Sequence, residues 1–462
     1  MNDETGVLVQ RLGGYLAHQR WFAGKGREHE VREIRTIAWL SGEQLQVQLA
    51  LADVVSSAGT DTYQVPLSHR AVWVDGLDHA HVCELEGVHV YDALHDKDAV
   101  ELIAMAMTGS AGAPAPLTAH RVTARDLEPG QATVMLTGEQ SNSNVRVGDD
   151  LLVKLFRRVS PGRNPDIEVL AALTKLDSHE IVPLVGWLEA TDDDRGVLDL
   201  AMLSDFLRTA SDGWDLALTS VRDLFAERDL HPDEVGGDFA SESHRLGLTA
   251  ARLHSELAQV LPHDTWGPDQ LGVVTARMRI RLVAAAEQVP ELAEHAPALV
   301  GAFDAVDALD GGVPVQRVHG DFHLGQTLRT MDGWRVIDFE GEPATPLAAR
   351  TALDSPLRDV AGMLRSFDYA AQSQWADLLG DHQLAQRALE WAERNRAAFL
   401  AGYAQESGRD LADSPDSAVL LRAYETDKAV YEAVYEVRNR PTWLQIPLRA
   451  IARLAHDTGG AS

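Results

Sequence analysis

Hydrophobic and polar residues alternate strictly in EQLQVQLALADVV, which puts Leu45, Val47, Leu49 and Leu51 on one face of a half-buried strand. TDTYQVPL and AVWVDGL read as further short strands between Ser, Gly and Asp turns. VELIAMAM then predicts a helix, and GSAGAPAPLTAHR, rich in Ala, Gly and Pro, predicts a linker. Beyond it, ATVMLT, NVRVGDD and LLVKLF read as consecutive antiparallel strands, the first two joined by the polar loop TGEQSNSN. NPDIEVLAALTKL follows as a helix with Asn164 at its N-cap and Pro165 in its first turn. IVPLVGWLEA and VLDLAML complete a five-stranded sheet.

From about Trp214 the period becomes helical. Leu246, Ala250, Leu253 and Leu257 recur on one face of SESHRLGLTAARLHSEL. LAQRALEWAERNRAAFLAGYA and SAVLLRAYETDKAVYEAVYEVRNR are longer helices of the same kind, and no internal repeat is found. The predicted fold is α+β and kinase-like, with a small antiparallel-sheet N-lobe, a large helical C-lobe and an α+β module in front. The expected segments are that module over residues 1–110, a linker over 111–130, the N-lobe over 131–208 and the C-lobe over 209–462.

Composition narrows the partners. A chain of 462 residues suggests two to three domains, and 45% apolar residues is ordinary for a globular protein. A formal charge of −29 argues against binding nucleic acid or an anionic membrane. The single cysteine, Cys83, excludes an internal disulfide and reads as a small buried residue. No basic start and apolar run marks a signal peptide, and no apolar run is long enough to span a membrane, so a cytoplasmic protein is expected.

Candidate chemistry concentrates in VHGDFHLGQTLRTMDGWRVIDFEGEP. Phosphoryl transfer from ATP needs a lysine on the phosphates, a carboxylate to hold it, a residue near the attacking hydroxyl, and metal ligands. Lys154, in the third strand of the small sheet, fits the first part, and Glu168 on the next helix is its expected partner. Asp321 follows His319 and Gly320, and Gln326 comes five residues later, the catalytic-loop spacing of Asp to a metal-binding amide. Asp338 ends the strand-like WRVID, where a second Mg²⁺ ligand belongs. Neither GxGxxG nor GxxxxGK[ST] is present, so the phosphates fall to Ser141, Asn142, Ser143 and Asn144, whose loop is otherwise an ordinary hairpin connection. A zinc site on His319 and His323 needs a helix there, and Gly320 and Gly325 predict a loop. Towards the C-terminus Tyr431, Glu432, Tyr435, Glu436, Arg438 and Trp443 form a polar, aromatic stretch suited to a sugar.

The motifs RWFAGKGR, SNSNV, LLVKLFRRVSPGRNPDIE, HGDFHLGQTLR, IDFEGEP, DSPLRDVAGMLRSF and YEVRNRPTWLQIPLRAI resemble those of the bacterial maltokinases, in the aminoglycoside-phosphotransferase-like branch of the eukaryotic-like kinases. The resemblance covers nearly the whole chain. It implies ATP- and Mg²⁺-dependent phosphorylation of maltose at its anomeric hydroxyl, feeding α-glucan and glycogen synthesis from trehalose. It matches Asp321 to the catalytic aspartate, Gln326 and Asp338 to the metal ligands, and Lys154 to the phosphate-binding lysine. His319 or Arg438 would assist. The N-terminal module corresponds to a cap domain; RWFAGKGR within it is either a phosphate contact through Lys25 or an anchor between domains. A monomer working beside trehalose synthase is the expected setting. The rivals are a glucosamine or aminoglycoside kinase of the same fold and, from another class, a nucleotide-binding pseudokinase.

Overall fold

The computed structural model describes residues 3–109, 113–136, 141–342, 345–376, 381–408 and 414–456. Two compact units divide the chain: Met1–Asp177 with Val182–Arg208, and Ser178–Ile181 with Thr209–Ser462. The fold is mixed α+β, with antiparallel sheets and many helices, as expected.

The first unit begins with α1 (Asp3–Leu16), followed by β1 (His29–Ser41), β2 (Gln46–Ser56), β3 (Gly59–Arg70), β4 (His81–Leu85), β5 (Val88–Asp92) and α2 (Lys97–Thr108). The five strands form one sheet, ordered β1-β2-β3-β5-β4. Leu8, Leu12 and Leu16 recur every four residues, so one stripe of α1 packs on Val31, Val54, Tyr63 and Leu67 of the sheet. AVWVDGL is not the strand its apolar residues suggest. Gly76 takes a positive φ of 87° there, turning the chain back towards β4 and leaving Val72 exposed.

A second sheet in this unit contains β6 (Leu117–Arg121), β7 (Thr133–Met135), β8 (Ser143–Val147), β9 (Leu151–Leu155), β10 (Leu184–Asp192) and β11 (Gly196–Asp205). Its order is β6-β10-β11-β9-β8-β7, antiparallel throughout. It therefore has six strands, and the sixth, β6, lies inside the expected linker. β6 covers the edge of β10, from Leu117 opposite Ala190 to Arg121 opposite Gly186. Such pairing is a tertiary gain that an Ala/Pro-rich composition hides. The helix α3 (Pro165–Lys175) starts as predicted: Asn164 Oδ1 accepts from the Asp166 N–H at 2.8 Å, and Pro165 opens the first turn.

The second unit is built on helices α4 (Gly213–Ala226), α5 (Ala240–Val260), α6 (Pro268–Gln288), α7 (Leu292–Asp307) and the short α8 (Leu347–Arg350). These are followed by α9 (Leu357–Ala376), α10 (His382–Ser407), α11 (Pro415–Asn439) and α12 (Gln445–His456). Short strands β12 (Ser211–Asp212), β13 (His263–Trp266), β14 (Val313–Gln316), β15 (Thr327–Thr330) and β16 (Gly333–Val336) pair as β12-β15-β16 and β13-β14. The predicted stripe of α5, Leu246, Ala250, Leu253 and Leu257, is fully buried. Glycine sets how closely α5 meets α10, because a Cβ on Gly247 would strike the Phe399 carbonyl and one on Gly402 the His244 carbonyl. Among the described residues, no helix is long and apolar enough to cross a membrane.

Candidate active site

In the second unit, β14 leads into a loop that carries His319, Gly320 and Asp321. A turn over Leu324–Gln326 follows, then the β15–β16 hairpin and Asp338. The loop is tied to the start of α9. Asp359, almost fully buried, accepts the backbone N–H of His319 at 2.7 Å and of Gly320 at 2.8 Å, and meets His254 Nε2 at 3.2 Å. Burial would raise the Asp359 carboxyl, but His254 and these donors outweigh it and hold the group below the usual carboxylate range. Gly320 has a φ of +81°, which a side-chain-bearing residue would adopt only with strain.

His319 has a different task from the one expected. Its Nε2 donates to the Ile337 carbonyl at 2.9 Å, and its Nδ1 accepts from the Asp321 N–H at 3.3 Å. A carbonyl partner makes Nε2 the protonated nitrogen. With 1% of its surface exposed and both nitrogens committed to backbone, His319 holds the loop against the Asp338 strand and has no lone pair left for chemistry.

Asp321 faces a cation that the sequence reading overlooked. Lys428 Nζ, on α11, lies 3.3 Å from Asp321 Oδ1 and 2.9 Å from Glu342 Oε1. Burial pushes the Asp321 carboxyl up, but Lys428, His323 and His319 pull it further down, so it is held below its ordinary value. His323 Nε2 stands 3.9 Å from Asp321 Oδ2, and burial lowers its basicity. The two histidines are separately engaged, with His323 Nδ1 capping the Gly325 N–H, which disfavours a zinc site at this loop.

Gln326 and Asp338 come together as expected: Gln326 Nε2 donates to Asp338 Oδ2 at 3.1 Å. Asp338 has a φ of +65°, a left-handed conformation that costs a non-glycine residue energy and is typical of functional sites. An amide and a carboxylate supply only hard oxygen ligands, the set that Mg²⁺ prefers, and the strained backbone fixes one of them. These residues fit the cation.

A cavity of about 530 Å³ opens beside Asp321. Tyr424, Asp427, Lys428 and Tyr431 line it from one face of α11, at positions i, i+3, i+4 and i+7. Several of its charges are paired. Arg281 binds Asp427 at 2.5 Å, Arg358 binds Asp354 at 3.1 Å, and the Tyr424 hydroxyl donates to Asp354. Burial raises the Asp427 carboxyl against the pull of Arg281.

Of the six residues expected at the sugar, only Tyr431 lines this cavity. Glu432 is held by Arg365 at 2.7 and 2.9 Å, and Glu436 accepts from the Tyr369 hydroxyl at 3.0 Å and from Arg440 at 2.7 Å. Tyr435 is exposed beneath Arg440, Arg438 reaches Gln288, and Trp443 stacks under Arg440 at 4.3 Å. The reason is helical phase. One residue turns a helix by about 100°, so Glu432 and Glu436 leave the cavity face and meet α9. The Tyr424–Tyr431 stripe was the readable signal, and Lys428, Glu342, Arg281 and Asp427 were missed because each alone resembles a solvated charge.

The first unit carries the other candidate group. Lys154, on β9, is buried and donates to Asp166 Oδ2 at 2.7 Å. The helical carboxylate at that distance is Asp166, two residues before the expected Glu168. Two residues turn a helix by about 200°, so Asp166 faces the sheet at full burial while Glu168 is half-buried. Lys154 lies opposite Asn144 in the β8–β9 ladder, so the Ser141–Asn144 segment enters the sheet beside it. Gly138, Glu139 and Gln140 of that loop, and Pro343 of IDFEGEP, lie outside the described residues.

Residues 15–96 match the maltokinase N-terminal cap domain, and residues 134–400 match the phosphotransferase enzyme family. Over 403 residues the chain is 30% identical to a glucosamine kinase of Streptacidiphilus jiangxiensis, covering 85% of this chain and 86% of that one. A glucosamine kinase of Mycolicibacterium smegmatis is 28% identical over 333 residues, 70% of this chain and 79% of the relative. A solved glucosamine kinase in complex with glucosamine, ADP and inorganic phosphate is similar over 96% of this chain and 98% of its own, with 25% identity and a TM-score of 0.68.

Proposed function

As this chain belongs to the phosphotransferase enzyme family and carries a maltokinase-type N-terminal cap, we propose that it transfers the γ-phosphoryl group of ATP to the anomeric hydroxyl of maltose. The product is maltose 1-phosphate. In this reading maltose comes from isomerised trehalose, and the product goes to α-glucan synthesis.

Asp321 accepts a hydrogen bond from the attacking hydroxyl and aims its oxygen at the γ-phosphorus. Its depressed basicity suits a positioning group in a reaction that runs mainly on orientation and electrostatics. Lys154, oriented by Asp166, binds the phosphates, and Ser141, Asn142, Ser143 and Asn144 offer further donors. Gln326 and Asp338 would hold Mg²⁺, which would neutralise charge on the transferred group.

The match of residues 15–96 to the maltokinase N-terminal cap carries the choice of sugar. Asp354 and Asp427 each face an Arg, and Asp321 and Glu342 share Lys428, so hydrogen-bonding groups suited to sugar hydroxyls line the cavity. A neutral disaccharide suits such walls through its hydroxyls. The volume is ordinary for a small-molecule site. Phosphorylation of glucosamine is the second reading, favoured by the named activity of the relatives. Phosphorus NMR of parallel reactions of ATP and Mg²⁺ with maltose and with glucosamine tests the proposal: an anomeric phosphomonoester signal with maltose supports it, and unreacted maltose with glucosamine phosphate formed in the other reaction replaces it with the second reading.

A further inference from the structure

RWFAGKGR has no part in the chemistry above, yet Trp21 of this motif sits on the most buried cation of the first unit. Arg157 is 1% exposed, and its guanidinium lies over the Trp21 ring at 4.2 Å. Its Nη2 donates to both oxygens of Asp92, at 2.8 and 3.2 Å, and Asp92 also accepts from the Tyr15 hydroxyl at 3.3 Å. Trp21, Asp92 and Tyr15 all belong to the N-terminal half of the unit. The Nε of the same Arg157 reaches the other way and donates to Ser143 Oγ at 2.7 Å. Backbone hydrogen bonds fix this junction, from Gln64 N–H to Arg157 O at 2.7 Å and from Val159 N–H to Thr62 O at 3.0 Å. Lys25 is exposed, and Trp21 is the residue of the motif that meets this buried cation.

We propose that Arg157 is a positioning residue for nucleotide binding: through Trp21 and Asp92 it lets the N-terminal cap set the Ser141–Asn144 segment by way of Ser143. A cation with one donor on each side of a junction transmits displacement, because charge-assisted hydrogen bonds hold both length and direction. Burial strengthens these hydrogen bonds, because the low dielectric of the interior screens them less than water does. This inference rests on the reading of Ser141–Asn144 as phosphate-binding.

The test is ADP affinity, measured by calorimetry on the full chain without sugar, together with the melting temperature. Asp92→Asn and Trp21→Leu each weaken ADP binding, Asp92→Asn by about tenfold, the scale of one charge-assisted hydrogen bond, while the KM for the sugar stays unchanged. Arg157→Lys keeps the buried charge and guards against a variant that fails to fold; it weakens ADP less than Asp92→Asn does. In a double variant of Asp92→Asn with Ser143→Ala the losses do not add, because both cut one path. Additive losses, or unchanged ADP affinity in Asp92→Asn and Trp21→Leu, overturn the coupling. Asn144→Ala separates this failure from that of the underlying reading. If Asn144→Ala weakens ADP and the cap variants do not, the coupling alone falls. If none of them affects ADP, the segment does not bind phosphates and the inference falls with it.

Discussion

Lys428 Nζ reaches Asp321 Oδ1 at 3.3 Å and Glu342 Oε1 at 2.9 Å, so one half-buried ammonium ties the proposed catalytic carboxylate to the wall of the cavity. Burial lowers the basicity of Lys428, and the two carboxylates raise it by more, so it stays charged. Lys428 helps keep Asp321 ionised. Its replacement in Lys428→Met lets burial dominate and raises the Asp321 carboxyl. The acid limb of the kcat/KM profile then moves to higher pH, and kcat/KM at neutral pH falls by about ten- to a hundredfold, the range of one ionic hydrogen bond. A pH–rate profile of wild type and variant checks both.

Asp321→Asn retains the shape of the loop and removes the charge. Loss of a positioned proton acceptor lowers kcat by about 10²- to 10⁴-fold. ADP affinity should be preserved, because the phosphate contacts are assigned elsewhere. Calorimetry beside steady-state kinetics separates the two.

Asp166 and Glu168 make a discriminating pair. Asp166→Asn leaves Lys154 without its 2.7 Å counter-charge and weakens nucleotide affinity by about tenfold. Glu168→Gln has the smaller effect. The reverse order would return the role to Glu168.

Tyr431 and Glu432, adjacent in sequence, should fail in different ways. Tyr431→Ala removes an aromatic wall of the cavity and raises the KM for the sugar, with little change in melting temperature. Glu432→Gln breaks the buried pair with Arg365 and lowers stability first, by about 3 kcal/mol, as expected when one partner of a buried pair is lost.

Acid stability follows from Glu425. Burial pushes its carboxyl up, but Arg396, Arg453 and Arg365 overcome that and bring it to about 2. The folded value lies below the unfolded value of about 4.3, so the stabilisation is complete above the latter and is lost as pH falls towards the former. Denaturation by urea at stepped pH should therefore show stability falling between about 4.3 and 2, and Glu425→Gln should flatten that fall.

Much of this was readable along the chain because local rules agree with the fold there. Asn164 and Pro165 cap a helix through local geometry, and Gln326 meets Asp338 because a short hairpin must bring its ends together. Cross-chain facts were not readable. β6 exists because β10 has an edge to cover. Asp166 reaches Lys154 because burial on one side of α3 is decided by the sheet beneath it. His319 and Glu436 carry chemistry-bearing groups, but both are consumed by partners 18 and 67 residues away. Lys428 became visible only when α11 placed it beside a loop 107 residues earlier.

The central claim is that maltose is the phosphoryl acceptor, and the most direct measurement is kcat/KM for maltose against glucosamine at fixed ATP and Mg²⁺. The account predicts turnover with maltose and at least about tenfold poorer use of glucosamine, a discrimination of about 1.4 kcal/mol. Efficient turnover of glucosamine with none of maltose would contradict it.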